Sequence, residues 1–189
     1  RLAASASVLR EQLPALLKTI ESQTPGLRVT LREATQHAAE RMLRDQYGAD
    51  VCDHRTWVLC SDGDLMEGVA SEAASLAGHL KLDRLTVIWD DNKITIDGRT
   101  DLCFSEDVAA RFAAYGWHVL HVRDGNDLDD IDTALTQAAA HKDAPTLIVL
   151  RTIIGDPAPT KRDSSKAHGE PLGADEITRT KALLDWPTE

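Results

Sequence analysis

The chain of 189 residues carries 31 acidic against 21 basic side chains, a formal net charge of −10. That length fits one domain with room for a core, and the acidic balance excludes a nucleic-acid surface, since no basic stripe is there to neutralise phosphates. Cys52, Cys60 and Cys103 are odd in number and lack metal-ligand spacing, no run approaches the ~20 apolar residues that span a bilayer, and no signal peptide opens the chain, so the expectation is a cytoplasmic protein with no membrane partner.

Residues 1 to about 46 read as wholly helical. Val8, Leu9, Leu13, Leu16, Leu17 and Ile20 recur at helical spacing, which predicts an amphipathic helix. Pro14 is its flaw, because proline removes a backbone donor and would kink the helix or start it there. Thr24-Pro25-Gly26 is a turn, and a second helix runs from about Thr30 to Gln46, with Gly48 as its stop.

From residue 47 the pattern alternates. Runs at 56–60, 85–89, 117–122 and 146–153 are rich in Val, Ile, Leu and Trp, the mark of strands buried on both faces. Cys60, inside the first run, reads as plain core. Helices fit between the runs at about 66–80, 105–114 and 127–141, and a last one follows Gly173 and ends near Trp186-Pro187. Ser105, with Glu106 and Asp107 behind it, reads as an N-cap, and Asp127 with Asp129 and Asp130 does likewise. The expected fold class is α/β: a doubly wound, mostly parallel sheet with helices on both faces, plus an N-terminal helical pair. Residues 1–189 then form a single domain, a helical segment at 1–46 followed by an α/β core at 47–189.

Polar or glycine turns close the predicted strands. In such sheets ligands bind at the carboxyl ends of strands, so these turns are the first places to look. Asp124-Gly125-Asn126 reads as an ordinary turn. Ser61-Asp62-Gly63 and Asp90-Asp91-Asn92-Lys93-Ile94 offer more, because a carboxylate, a carboxamide and a main-chain carbonyl make an oxygen set suited to Mg²⁺. The 28 residues between Gly63 and Asn92 hold one helix and one strand, so the two turns can meet at neighbouring strand ends. The pattern reads as a diphosphate–metal site. A dinucleotide-binding protein is excluded because Ser61-Asp62-Gly63-Asp64-Leu65-Met66-Glu67-Gly68 lacks the Gly-x-Gly-x-x-Gly turn, and no P-loop Gly-Lys-Ser or Gly-Lys-Thr occurs.

These two motifs together resemble the thiamine-diphosphate-binding domain of transketolases. Similarity continues through Phe112-Ala113-Ala114-Tyr115-Gly116-Trp117-His118-Val119, Arg151-Thr152-Ile153-Ile154-Gly155 and His168-Gly169-Glu170-Pro171-Leu172-Gly173, covering roughly residues 37–187. The resemblance implies Asp62 as the metal carboxylate, with Asn92 giving the ion its side-chain oxygen and Ile94 its main-chain oxygen. It implies Gly63 as a backbone donor to the diphosphate, preceded by Ser61 where many relatives carry Gly. It implies Glu67 as a catalytic member of a proton network at the subunit interface, and His168 as a catalytic and cofactor-binding histidine near diphosphate and substrate. The implied cofactors are thiamine diphosphate and Mg²⁺, with Ca²⁺ as a substitute ion. The implied partners are a second copy of the chain and a separate pyrimidine-binding domain, which these residues do not include. In that context the chain would support transfer of a two-carbon ketol unit between sugar phosphates, and alone it should not turn over.

The departures carry information too. The family's glycine-rich loop should fall near residues 24–29, where this chain has Thr24-Pro25-Gly26-Leu27-Arg28-Val29, and residues 1–36 show no family motif. An excised or redesigned domain, or a split relative, would explain both gaps. Small residues Gly68, Ala70, Ala73, Ala74, Ala77 and Gly78 suit close helix approach, either to a partner subunit or to the chain's own sheet. The segment 156–165 either orders over a ligand or stays solvated. The competing expectation is a structural or interaction module that keeps the fold without the cofactor.

Overall fold

The computed structural model describes residues 2–4, 31–33, 44–51 and 53–187. The chain divides into two compact units, Arg1–His54 and Arg55–Glu189. In the first unit β1 (Leu2–Ala4) and β2 (Leu31–Glu33) pair in parallel. The wholly helical reading of residues 1–46 is therefore corrected at both strands, the second of which takes the opening residues of the helix predicted from about Thr30. Val29 and Thr30, both β-branched, lead into this segment, and inter-strand pairing outweighs a weak helical preference. Residues 44–47 are helical, and Gly48, with φ +85°, donates its N–H to Arg44 O at 2.8 Å and ends that helix. The amphipathic helix predicted near 8–20 and the Thr24-Pro25-Gly26 turn lie outside the described residues.

The second unit is built on four strands: β3 (Thr56–Ser61), β4 (Leu85–Asp91), β7 (His118–Val122) and β8 (Thr146–Arg151). They form one sheet in the order β3-β4-β8-β7, parallel throughout. A two-residue-per-strand hairpin, β5 (Ile94–Thr95) and β6 (Gly98–Arg99), follows β4. The helices are α1 (Asp62–Met66), α2 (Gly68–His79), α3 (Val108–Ala114), α4 (Leu128–Ala140), α5 (Lys166–Gly169) and α6 (Ala174–Leu183).

The strand order explains why the sheet is wound on both faces. The steps β3 to β4 and β4 to β7 run one way across the sheet, and β7 to β8 runs back. Right-handed crossovers then put α2 and α3 on one face and α4 on the other. Two separate cores follow that division. On one face Ala74 and Ala77 of α2 and Val108 and Phe112 of α3 pack with Trp89, Trp117, Leu147 and Val149. On the other, Ala134 and Ala138 of α4 pack with Val122 and Ile148. Alternate residues of β8 thus serve opposite cores, as the period of a strand requires.

Two contacts join α2 to the end of α3. Trp117 donates its indole N–H to Ala74 O at 2.8 Å, and its ring meets Phe112 edge-on at 5.0 Å. Gly78 lets the backbones close, since a Cβ there would stand 1.9 Å from Tyr115 O. Ala74, Ala77 and Gly78 therefore serve the chain's own core, while Gly68 and Ala73 face outward.

Several boundaries differ from the sequence expectation. The helix expected over 66–80 is two helices broken at Glu67, and it starts at Asp62 rather than after a turn. The N-cap of α3 is Asp107, whose carboxylate accepts from Ala110 N at 2.9 Å, and not Ser105. A helix there can take any of several adjacent polar caps, and the packing of Val108 and Phe112 selects one. Asp127 caps α4 as expected, accepting from Asp129 N and Asp130 N. Among the described residues no helix is long and apolar enough to cross a membrane.

Candidate metal and diphosphate site

The site is built where β3 and β4 end. Their parallel register puts Ser61 opposite Asp90, so the turns that follow emerge side by side. Ser61 donates both its N–H and its hydroxyl to the Asp64 carboxylate, at 2.8 and 2.9 Å, which folds the chain at once into α1. Asp62, the first residue of that helix, is only 4 % exposed. Its Oδ2 accepts the main-chain N–H of Asn92 at 3.1 Å and of Lys93 at 2.9 Å. One carboxylate thereby ties the end of β3 to the turn after β4.

That turn is held from within as well. Asn92 is buried; its Oδ1 accepts from Ile94 N at 2.8 Å, and its amide donates to Asp90 Oδ2 at 3.1 Å. The carboxamide so reproduces a backbone turn. Lys93 adopts φ +65°, a conformation a bulky side chain takes only when its surroundings demand it. The demand is visible: this twist delivers the Lys93 N–H to Asp62, and its ammonium pairs with Asp91 Oδ1 and lies 5.0 Å from the Trp89 ring centroid. Thr152, just past β8, donates its hydroxyl to Asp90 Oδ1 and its N–H to Asp91 O.

Negative charge is concentrated here. Asp62, Asp64, Asp90 and Asp91 gather at two neighbouring strand ends, with Lys93 among them. Burial raises the carboxyl of Asp62 above the ordinary aspartate range, and the Asp91 charge adds to this, against the two main-chain donors. The Cys60 thiol is pushed up to about 12, first by burial and then by Asp64, Asp62 and Asp90. This oxygen-rich, electronegative cup fits a hard divalent cation. Among the described residues no three His, Cys, Asp or Glu side chains group as a metal site, so an ion here would take its remaining ligands from a carboxamide, a main-chain carbonyl and a bound ligand.

Ser61, Asp62, Gly63, Asn92 and Ile94 are brought together at these two strand ends. Gly63 is exposed with open space where a Cβ would stand, so its main chain is approachable. Glu67 stands apart, exposed at the break between α1 and α2. Arg111 holds that break by donating to Leu65 O at 2.8 Å and Ser71 Oγ at 2.9 Å. His168 is exposed on α5, whose Gly169 abuts Ile96 at the tip of the β5–β6 hairpin. Sequence reasoning missed Lys93, Thr152 and Arg111. Lys93 acts through its main-chain N–H across 31 residues, and Thr152 and Arg111 through their side chains across 62 and 46, so only the polar type of each residue hinted at a role.

A family model described as the thiamine diphosphate binding domain of transketolase matches residues 17–189. The chain belongs to the transketolase family. The match begins inside the stretch in which the sequence shows no family motif. The chain is 51 % identical over 161 residues to a transketolase of Geobacillus stearothermophilus, covering 85 % of this chain and 24 % of that protein. It is 45 % identical over 164 residues to one of Bacillus subtilis, covering 87 % and 24 %. Among solved structures, the Campylobacter jejuni transketolase superposes with a TM-score of 0.75 at 40 % identity, covering 79 % of this chain and 23 % of that one. A Leishmania mexicana transketolase gives 0.73 at 44 %, covering 79 % and 22 %. The chain thus spans about a quarter of the length of the transketolases it matches.

Proposed function

We propose that this transketolase-family domain holds thiamine diphosphate through Mg²⁺, and that in a complete enzyme it supports two-carbon ketol transfer between sugar phosphates. The carrying observation is the buried Asp62 carboxylate at an acidic pair of strand ends, joined to Asn92 and Lys93. A diphosphate is itself anionic, so it can approach these carboxylates only with a divalent cation between. Asp62, the Asn92 side chain and the Ile94 carbonyl would hold Mg²⁺, and the Gly63 main chain would face the phosphates. Bound thiamine diphosphate supplies the carbanion chemistry, while the protein binds, orients and moves protons. Glu67, at the break that Arg111 holds, would exchange a proton, and His168 would meet diphosphate or substrate. The remaining provision comes from a pyrimidine-binding domain, so the 189 residues alone do not turn over. The outward face of α2, with Val69 and Leu76 exposed, is the surface we assign to a second copy. The parent enzyme belongs, on this reading, to the cytoplasmic pentose phosphate pathway.

Calorimetric titration of thiamine diphosphate into the chain, with and without Mg²⁺, tests the proposal. Binding that requires Mg²⁺ and disappears in Asp62→Ala is expected. A folded sample giving neither heat nor thermal shift would overturn it in favour of a scaffold without cofactor, because a ligand specific to the folded state must stabilise it.

A further inference from the structure

A second buried carboxylate lies outside the site. Glu176, in the first turn of α6, is 3 % exposed. Burying a charge is costly unless it is fully paired, and this one is. Its Oε1 accepts the N–H of Thr160 at 2.6 Å and of Lys161 at 3.2 Å, and its Oε2 accepts the Thr160 hydroxyl at 2.9 Å and Arg179 at 2.7 Å. Three of those four donors belong to the segment that follows β8.

That segment leads directly to His168. Ala158 is fully buried, with its N–H on Gly155 O at 2.7 Å, and Asp163 N–H reaches Ile154 O at 2.9 Å. Ser164 Oγ donates to Lys161 O at 2.6 Å, and His168 N–H to Ser165 O at 3.0 Å. On the far side of His168, the Lys161 ammonium donates to Pro171 O at 2.8 Å. The residues before and after α5 are therefore both referred to Thr160 and Lys161. A helix of four residues cannot hold itself, because one turn does not repay its own nucleation. Its place must come from these anchors and from Gly169 against Ile96.

We infer that Glu176 is a positioning residue for His168: by fastening Thr160 and Lys161 to α6 it sets where α5 stands beside the hairpin that begins at Ile94. The inference rests on the reading of His168 as a group that meets the cofactor diphosphate or the substrate. The fastening is made by two main-chain donors and the Thr160 hydroxyl, so the ion pair with the half-exposed Arg179 is secondary.

The test uses the isotope-labelled 189-residue chain and its Glu176→Gln, Arg179→Ala and His168→Gln variants, the last to identify the His168 ring resonance. In Glu176→Gln the His168 signal should move, and amide exchange at Lys161, Ala167 and His168 should quicken by at least roughly tenfold, the weight of one charge-assisted hydrogen bond. Amides of β4 and β8 should keep their protection, and Arg179→Ala should leave both readouts in place. Should Glu176→Gln unfold the whole sheet, Thr160→Ala decides, with the same pattern in weaker form. An unmoved His168 signal with unchanged local exchange would overturn the inference. Affinity for thiamine diphosphate with Mg²⁺ separates the two readings. Glu176→Gln and His168→Gln should weaken binding equally, and the double variant no further, because both act through one group. If the wild-type chain binds nothing while the His168 signal still moves in Glu176→Gln, the functional reading fails and the positioning stands. If His168→Gln weakens binding and Glu176→Gln binds as well as the wild type, the positioning fails.

Discussion

Asp62 and Glu176 are both buried carboxylates in the first turn of a helix, yet their surroundings displace them in opposite directions. Asp62 offers one oxygen to two main-chain donors among other acids, and burial raises its carboxyl above the ordinary range. Glu176 takes four hydrogen bonds, and its carboxyl is held below that range, first by the N–H of Thr160. Their exposure to solvent is nearly the same, so exposure alone does not say what a buried acid is for. The count of donors does: Glu176 is complete within the protein, whereas Asp62 keeps a charge that calls for a cation.

The largest expected effect breaks this comparison on the ligand side. Asp62→Ala should weaken Mg²⁺-dependent thiamine diphosphate binding by more than roughly 100-fold, beyond the usual cost of an outer-shell partner. Glu176→Gln should cost no more than roughly tenfold in the same titration. Comparable losses for the two would erase the distinction between ligand and positioning residue.

Stability without ligand should reverse that order. In urea, Asp62→Asn is expected to change the unfolding free energy by less than about 1 kcal/mol, since the amide keeps an acceptor and sheds a disfavoured charge. Glu176→Gln should lower the urea midpoint clearly, because an amide cannot accept four donors. A larger fall for Asp62→Asn would mean that Asp62 is the structural acid of the two.

A pH series sharpens the point with a smaller signal. A carboxyl lowered by folding contributes stability that is fully present above its unfolded value of 4.5 and is lost as pH falls through its folded value. The stability gap between wild type and Glu176→Gln should therefore be constant near neutrality and close under acid. A gap that widens on acidification would contradict the pairing seen here. Smallest of all is a labelling difference: at pH about 8, iodoacetamide should modify exposed Cys103 and spare Cys60, whose thiol is pushed up to about 12 by burial and the acidic strand ends. Equal labelling would mean that Cys60 is neither buried nor faced by the acidic strand ends as described here.

Much of the fold was legible because strands and helices announce themselves by period. The four strands of the main sheet were found within a residue or two, and Asp127 was recognised as a cap because capping chemistry is local. Leu31–Glu33 was misread, since three residues are too few to carry a period and their partner is 29 residues away. The short elements β5, β6 and α5 went unseen for the same reason.

By itself, the sequence determined the α/β class, the family and the residue types of the site, because periodicity and motif spacing are written along the chain. Only the tertiary structure decided how those residues are used. It turned Asp62 toward Asn92 and Lys93, broke the helix at Glu67 against Arg111, and closed the segment after β8 onto Glu176. Each of these is a hydrogen bond between positions 15 to 46 residues apart. A polar side chain carries no mark in the sequence of which distant donor or acceptor will satisfy it; the packing of sheet and helices makes that choice.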